Sequence, residues 1–249
     1  MKNNTVIFTD LDGTLLNHED YSFDEASEML DFIKAEKIPL IYTTSKTKQE
    51  CLILQEKMGL DSPFIVENGA CIFGLEGGDI QLGLSYHDIR IFMDSVKEAF
   101  QIMPFSDMSI EAVMEYTDFS YELAKMAKER DFSEPFLIKD EQKLTALEKL
   151  AEENGMKILK GGRFYHCVGI DQDKGKAVEK VLEFFHDTHA IGLGDNYNDV
   201  DMLRVVDTPI LIPHHEGRFI DVEIEGLLKA PHKGSLGWNT MLKKVLKDV

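Results

Sequence analysis

The run from Phe8 to Leu16, Phe-Thr-Asp-Leu-Asp-Gly-Thr-Leu-Leu, constrains this chain more than any other. Val6, Ile7 and Phe8 form an unbroken apolar stretch, the pattern of a strand buried on both faces, as in a parallel sheet covered by helices. Gly13 and Thr14 end the strand and open a loop. Residues i and i+2 of a strand share a face, so Asp10 and Asp12 crowd two carboxylates into one small volume past its carboxyl end. Carboxylates placed so closely repel unless a shared proton or a cation offsets the charge. A divalent cation does this, and a sparse set of oxygen donors suits Mg²⁺.

An alternating pattern follows. After a strand over 5–9, Ala26, Met29, Leu30 and Ile33 fall at helical spacing and predict a helix over 23–37. A strand over 38–42, a helix over 48–58 stopped by Gly59, and a strand over 63–66 come next. This β-α-β-α-β order predicts a parallel sheet with helices on its faces. From about residue 82 the chain is richer in charge. Helices are expected over 88–100, 118–130 and 142–154, and strands over 134–138, 157–160 and 164–168, the last two joined by a Gly161-Gly162 hairpin turn. The first pattern then returns: helix 174–186, strand 190–193, helix 200–205, strand 209–212 and helix 238–247. The fold class is therefore read as α/β. A Rossmann-like parallel-sheet core in two parts, 1–82 and 169–249, is interrupted by an inserted α+β domain over 83–168.

Composition narrows the partners. The 249 residues include 27 basic and 45 acidic side chains, a formal charge of −18. That balance disfavours nucleic-acid backbones and anionic membranes. It also means that an anionic substrate needs a local cationic pocket. Cys51, Cys71 and Cys167 are odd in number, widely spaced and without zinc spacing, and they read as small buried hydrophobes in a reducing compartment. No apolar run approaches the ~20 residues of a membrane span, and the chain enters its first strand at once without a signal peptide. A cytoplasmic location is expected. The sequence assigns no oligomeric state.

The chemistry-bearing residues gather at one end of the expected sheet. Asp10 and Asp12 follow the first strand, Thr44 and Ser45 follow the second, and Asp195, Asn198 and Asp199 follow the strand over 190–193. Lys174 opens the helix after the insert. In open α/β sheets, ligands bind outside the carboxyl ends of the strands. A carboxylate beside Mg²⁺ can attack phosphorus and form an aspartyl-phosphate. A second carboxyl can protonate the leaving oxygen and later activate water. A hydroxyl and a lysine can hold the phosphoryl oxygens as charge develops.

This set resembles the haloacid dehalogenase superfamily of phosphatases. The residues that carry the resemblance are Thr-Asp-Leu-Asp-Gly-Thr at 9–14, Thr44, Lys174 in Asp-Lys-Gly-Lys-Ala-Val, and Gly-Asp-Asn-Tyr-Asn-Asp at 194–199. The resemblance implies Asp10 as nucleophile, Asp12 as general acid and base, and Thr44, Ser45 and Lys174 as phosphate-binding residues. It implies Mg²⁺ on Asp10, the Asp12 backbone carbonyl and Asp195, with Asn198 and Asp199 supporting the metal or its waters. Roughly 130 positions separate Thr44 from Lys174, far more than the roughly 30–50 of a crossover and its strands. The surplus resembles the class IIB cap, a lid that usually marks small phosphorylated metabolites. Gly83 and Gly169, near the two crossings, read as its hinges.

A narrower resemblance is to the mannosyl-3-phosphoglycerate phosphatases. It rests on Thr44-Ser45-Lys46-Thr47, Glu67-Asn68-Gly69-Ala70, Gly-Gly-Arg-Phe-Tyr-His at 161–166 and Gly237-Trp238-Asn239. It implies Lys46, Asn68, Arg163 and His166 at the substrate, with Lys46, Arg163 and His166 supplying cations that the net charge otherwise denies. The expected activity is Mg²⁺-dependent hydrolysis of the phosphate monoester of mannosyl-3-phosphoglycerate, a step of compatible-solute synthesis. The alternatives are a glucosyl-3-phosphoglycerate or broader sugar-phosphate phosphatase, a phosphomutase, or an idle sensor of phosphometabolites. His214 and His215 either touch the site or form an exposed loop pair, the second being the favoured reading.

Overall fold

The computed structural model describes residues 4–161 and 164–247. Its first part runs β1 (Thr5–Thr9), α1 (Ser27–Glu36), β2 (Leu40–Tyr42), α2 (Lys48–Met58), β3 (Phe64–Val66), β4 (Cys71–Phe73) and β5 (Ile80–Gln81). The insert runs α3 (Tyr86–Phe100), β6 (Ile102–Pro104), α4 (Ile110–Thr117), α5 (Tyr121–Ala127), β7 (Glu134–Ile138), α6 (Leu144–Glu153), β8 (Met156–Lys160) and β9 (Tyr165–Gly169). The last part runs α7 (Lys174–Leu182), β10 (His189–Gly194), α8 (Val200–Val205), β11 (Thr208–Leu211), β12 (Leu228–Lys229) and α9 (Gly234–Lys247).

The core sheet has the order β12-β11-β10-β1-β2, with every pairing parallel. Alternate residues of each strand enter different cores, as a period of two requires. Ile7, Tyr42, Ile191 and Ile210 pack with Met29, Ile33, Trp238 and Leu242 of α1 and α9. Val6, Phe8, Ile41 and Ala190 pack with Ala177, Val181, Met202 and Leu203 of α7 and α8. The chain leaves β1 for β2 on one side, while β10 flanks β1 on the other. The crevice of such a sheet lies past the carboxyl ends of those strands. Trp238 is fully buried and donates from Nε1 to Thr9 Oγ1 at 3.0 Å, fastening α9 beside the residue before Asp10.

The strand over 63–66 departs from expectation. It touches the parallel sheet through the single bridge Thr43–Ile65 and then pairs antiparallel with β4, itself paired with β5. The reason is the turn after it. Glu67, Asn68 and Gly69 all take left-handed backbone, at φ 47°, 60° and 92°, and reverse the chain within three residues. A Cβ on Gly69 would lie 2.0 Å from the Asp173 carbonyl, so only glycine fits.

The insert forms its own antiparallel sheet, β6-β7-β9-β8. Ile102, Phe136, Tyr165 and Cys167 face α3 and α6, whereas Met103, Leu137 and Phe164 face α4 and α5. Of the helix expected over 118–130, only α5, Tyr121–Ala127, is present, because α4 has already ended at Thr117. Asp118, at φ 60°, ends α4, and Ser120 caps α5 by accepting from the Leu123 amide. The three cysteines are buried free thiols. No helix among the described residues is long and apolar enough to cross a membrane.

Candidate active site

Asp10 lies one residue past β1, Asp195 one past β10, and Lys174 at the first turn of α7, all buried. The Lys174 side chain is fully enclosed, and its Nζ donates to Asp10 Oδ1 at 2.7 Å and Asp199 Oδ1 at 2.6 Å. The second Asp199 oxygen accepts from the Asp195 and Asn196 amides, both at 3.0 Å. Asp195 Oδ1 accepts from Thr14 Oγ1 at 3.2 Å. A Cβ on Gly13 would stand 2.6 Å from Asp195 Oδ2, which explains glycine at that point of the first motif.

One carboxylate oxygen from each of Asp10, Asp195 and Asp199 lies within 4.8 Å of the others. Burial pushes the Asp10 carboxyl up from 3.8 to about 7, against the pull of Lys174 and with the help of Asp199 and Asp12. Burial, then Asp199 and Asp10, raises the Asp195 carboxyl well above its ordinary value. Burial opposes the Lys174 charge, but Asp10 and Asp199 outweigh it and hold its pKa above the usual lysine range. Three buried carboxyls against one ammonium make a site short of positive charge, the condition a hard divalent cation satisfies.

The remaining expected residues divide. Asp12 turns away from this cluster toward Lys46, whose Nζ stands 2.9 Å from Asp12 Oδ1 and 3.4 Å from Glu50 Oε1. Glu50 also closes a capping box with Thr47 at the start of α2, which fixes Lys46 just outside the helix. Ser45 lines the cavity beside Asp10 and Asp12, while the buried Thr44 hydroxyl accepts from the Lys46 amide at 3.1 Å. Asn198 donates to Asn68 Oδ1 at 3.0 Å. Arg163 lies outside the described residues.

A cavity of about 140 Å³ opens over these groups, walled on the far side by the inserted domain through Phe119, Arg130, Phe164 and His166. A larger hollow of about 960 Å³ lies at the amino ends of the core strands, among Phe32, Ile38, Phe185 and Leu246. The smaller one is the functional candidate, because the carboxyl ends of the strands carry the acid cluster.

His166 does not supply the expected cation. Burial, then Arg130 and Lys174, pushes its pKa down from 6.5 to about 3. Its ring is uncharged at neutral pH, and among the described residues its buried Nδ1 has no hydrogen-bond partner. Sequence reading missed Arg130, which ended a predicted helix. Its Nη1 donates to Ser45 O at 2.9 Å and Ser133 Oγ at 3.0 Å, bringing a guanidinium from the insert to the loop after β2. It also missed Glu67, whose carboxylate accepts from the Asp131 and Phe132 amides at 3.0 and 3.2 Å and from Ser133 Oγ at 2.6 Å. The Glu67-Asn68-Gly69 turn was a legible signal; its grip on a segment some 65 residues on was not. His214 and His215 are not simply an exposed pair. His214 lines the cavity, and the His215 ring stacks on His18 with centroids 4.3 Å apart.

A pH dependence follows from His166. Between pH 6.5 and 3 the unfolded chain binds a proton that the folded site refuses, so stability falls as pH drops through that window. The expected loss from pH 7 to pH 5 is about 2 kcal/mol from this residue. Urea unfolding at both values should show it, and His166→Gln should flatten the dependence by that amount. An identical slope in the variant would refute the neutral assignment.

Comparison with known proteins agrees with this geometry. A family model described as haloacid dehalogenase-like hydrolase matches residues 7–213. A glucosyl-3-phosphoglycerate/mannosyl-3-phosphoglycerate phosphatase of Persephonella marina is 47% identical over 263 aligned positions, covering 98% of each chain. A protein of the same description from Methanococcoides burtonii is 36% identical, covering 97% of each. Among solved structures, a Thermoplasma acidophilum protein superposes with a TM-score of 0.76 at 17% identity, covering 96% of this chain and 97% of its own. With the first motif, the lysine and the second acid cluster meeting at the carboxyl end of the core sheet, and a family match spanning all of them, this chain belongs to the haloacid dehalogenase-like hydrolases.

Proposed function

We propose that this chain is a Mg²⁺-dependent phosphatase that hydrolyses the phosphate monoester of a glycosyl-3-phosphoglycerate, mannosyl or glucosyl, through an aspartyl-phosphate on Asp10. The observation that carries the reaction is the Lys174 ammonium held against Asp10 inside a cluster of buried carboxyls. Asp10 and Asp195, with the Asp12 backbone carbonyl, would hold Mg²⁺, and Asp199 would keep Lys174 and the Asp195 loop in place. When bound, the metal offsets the repulsion between Asp10 and an incoming phosphate.

The chain's own groups then divide the work. The Asp10 carboxylate attacks phosphorus in line with the ester oxygen, and the bond to the glycerate breaks. Asp12 gives its proton to the departing oxygen, then takes one from the water that hydrolyses the aspartyl-phosphate. Lys174 and the Ser45 and Thr44 loop hold the phosphoryl oxygens. Lys46 and Arg130 supply the positive charge that a carboxylate-bearing substrate needs in a protein of net charge −18. Neutral His166 offers one ring nitrogen to a hydroxyl. The activities for which the relatives are named support the glycosyl-phosphoglycerate assignment.

The test is phosphate release from mannosyl- and glucosyl-3-phosphoglycerate beside simple sugar phosphates. Release should vanish with EDTA, return with Mg²⁺, and favour the glycosyl-phosphoglycerates at least about tenfold in kcat/KM. Equal rates across the panel would overturn the substrate assignment. Transfer of phosphate without release would identify a mutase instead.

A further inference from the structure

The cavity has an apolar corner that the chemistry does not use. Tyr21, from the core loop between β1 and α1, and Phe119, from the insert just after α4, meet there edge to face, with ring centroids 5.2 Å apart and planes inclined by 60°. Tyr21 adopts a left-handed backbone, φ 56°, a conformation that strains a bulky side chain and persists where surrounding structure enforces it. The enforcing contacts are its amide to Asn17 O at 2.9 Å and its hydroxyl to Thr117 O, in the insert, at 3.4 Å. Lys46 Nζ stands 5.3 Å from the Tyr21 centroid and 5.4 Å from that of Phe119. Both distances lie within the ~6 Å range of cation–π attraction. Tyr21, Phe119 and Lys46 all line the cavity, beside Asp10, Asp12 and Ser45.

We propose, on the substrate reading above, that Tyr21 and Phe119 form the face on which the substrate's glycosyl ring packs, and that Phe119 decides between glycosylated and unglycosylated phosphoglycerates. A pyranose has an apolar C–H face and a polar hydroxyl edge. The C–H face suits the electron-rich faces of aromatic rings. The hydroxyl edge suits Lys46 and Nδ1 of His166, which has no hydrogen-bond partner among the described residues; both line the same cavity. One ring comes from the core and one from the insert, so the face exists only with the insert closed over the core.

The experiment compares kcat/KM for glucosyl-3-phosphoglycerate with that for 3-phosphoglycerate, which carries the same phosphate and carboxylate without the sugar. Phe119→Leu keeps an apolar side chain and removes the ring; Phe119→Met gives a second sample, and melting temperatures check both folds. The glycosylated-to-unglycosylated ratio should fall about tenfold in each, mainly through KM of the glycosylated substrate. Phe119→Tyr, which keeps the ring, should move the ratio far less. Equal losses on the two substrates, or a ratio moved as much by Phe119→Tyr as by Phe119→Leu, would overturn the assignment. A wild-type enzyme indifferent to the sugar would overturn the substrate reading and this proposal with it.

Discussion

Asp10→Asn should abolish turnover while the protein becomes, if anything, more stable. The amide cannot attack phosphorus, so phosphate release should fall on the order of 10⁴-fold or more. The stability effect has the opposite sign for a definite reason. Burial holds the Asp10 carboxyl up to about 7 from an ordinary 3.8. Between those values the folded protein keeps a proton that the unfolded chain has released, and stability declines as pH rises through that interval. At pH 8 without divalent cation the wild type bears the full cost of an ionised Asp10, and the neutral amide does not. The Asn oxygen can still accept from Lys174, and Asp199 remains 2.6 Å from that ammonium. Melting curves at pH 8 in EDTA should place the variant at or above the wild type. Added Mg²⁺ should then raise the wild type more than the variant, because a ligand that binds the folded state stabilises by its affinity. Retained turnover would end the aspartyl-phosphate mechanism; a variant that loses both activity and fold would end the account of the cost of ionising Asp10.

The parts of this site that are legible in sequence are those whose chemistry is local. Asp10 and Asp12 follow an apolar strand, and the asparagines and aspartates at 195–199 follow another, so strand periodicity places both at one sheet end. Lys174 needed order along the chain as well, because a helix-start lysine has no meaning alone. What sequence could not show are groups defined by distant partners. Arg130 matters because it reaches Ser45, Glu67 because it grips residues 131–133, and Phe119 because it meets Tyr21. None of these pairs leaves a periodic trace. The charge of His166 was misread for a related reason: a histidine among cations suggests another cation, but burial beside Arg130 and Lys174 makes it neutral. Short elements were missed too. β4 and β12 have two or three residues each, too few for alternation to appear. Asp118-Phe119-Ser120, read as helix, is in fact a stop followed by a cap.

Lys174→Met should be the most destabilising single change in the site, and metal should repair its stability without repairing its activity. Methionine fills much the same volume, so packing is nearly kept and charge is what is lost. Lys174 is fully enclosed and is the ammonium between Asp10 and Asp199, at 2.7 and 2.6 Å. Removing one partner of a buried ion pair typically costs about 3–5 kcal/mol, because the other charge stays buried without compensation. For a chain of this length that lowers the melting temperature by on the order of 10 °C. The deficit should depend on pH. Without the ammonium, the buried carboxyls hold protons to still higher pH, so the penalty is full when they must ionise and partly relieved when they need not. Thermal melts should therefore show a larger loss at pH 8 than at pH 5. Mg²⁺ supplies positive charge to the same carboxylate oxygens and should recover part of the lost stability at pH 8. Phosphate release should stay low even then, since in the proposed mechanism Nζ also holds phosphoryl oxygens, a role the metal does not take. A midpoint insensitive to the substitution at both pH values would mean that Lys174 does not hold the acid cluster together. Recovery of both stability and turnover with metal would confine its role to charge balance and remove it from phosphoryl binding.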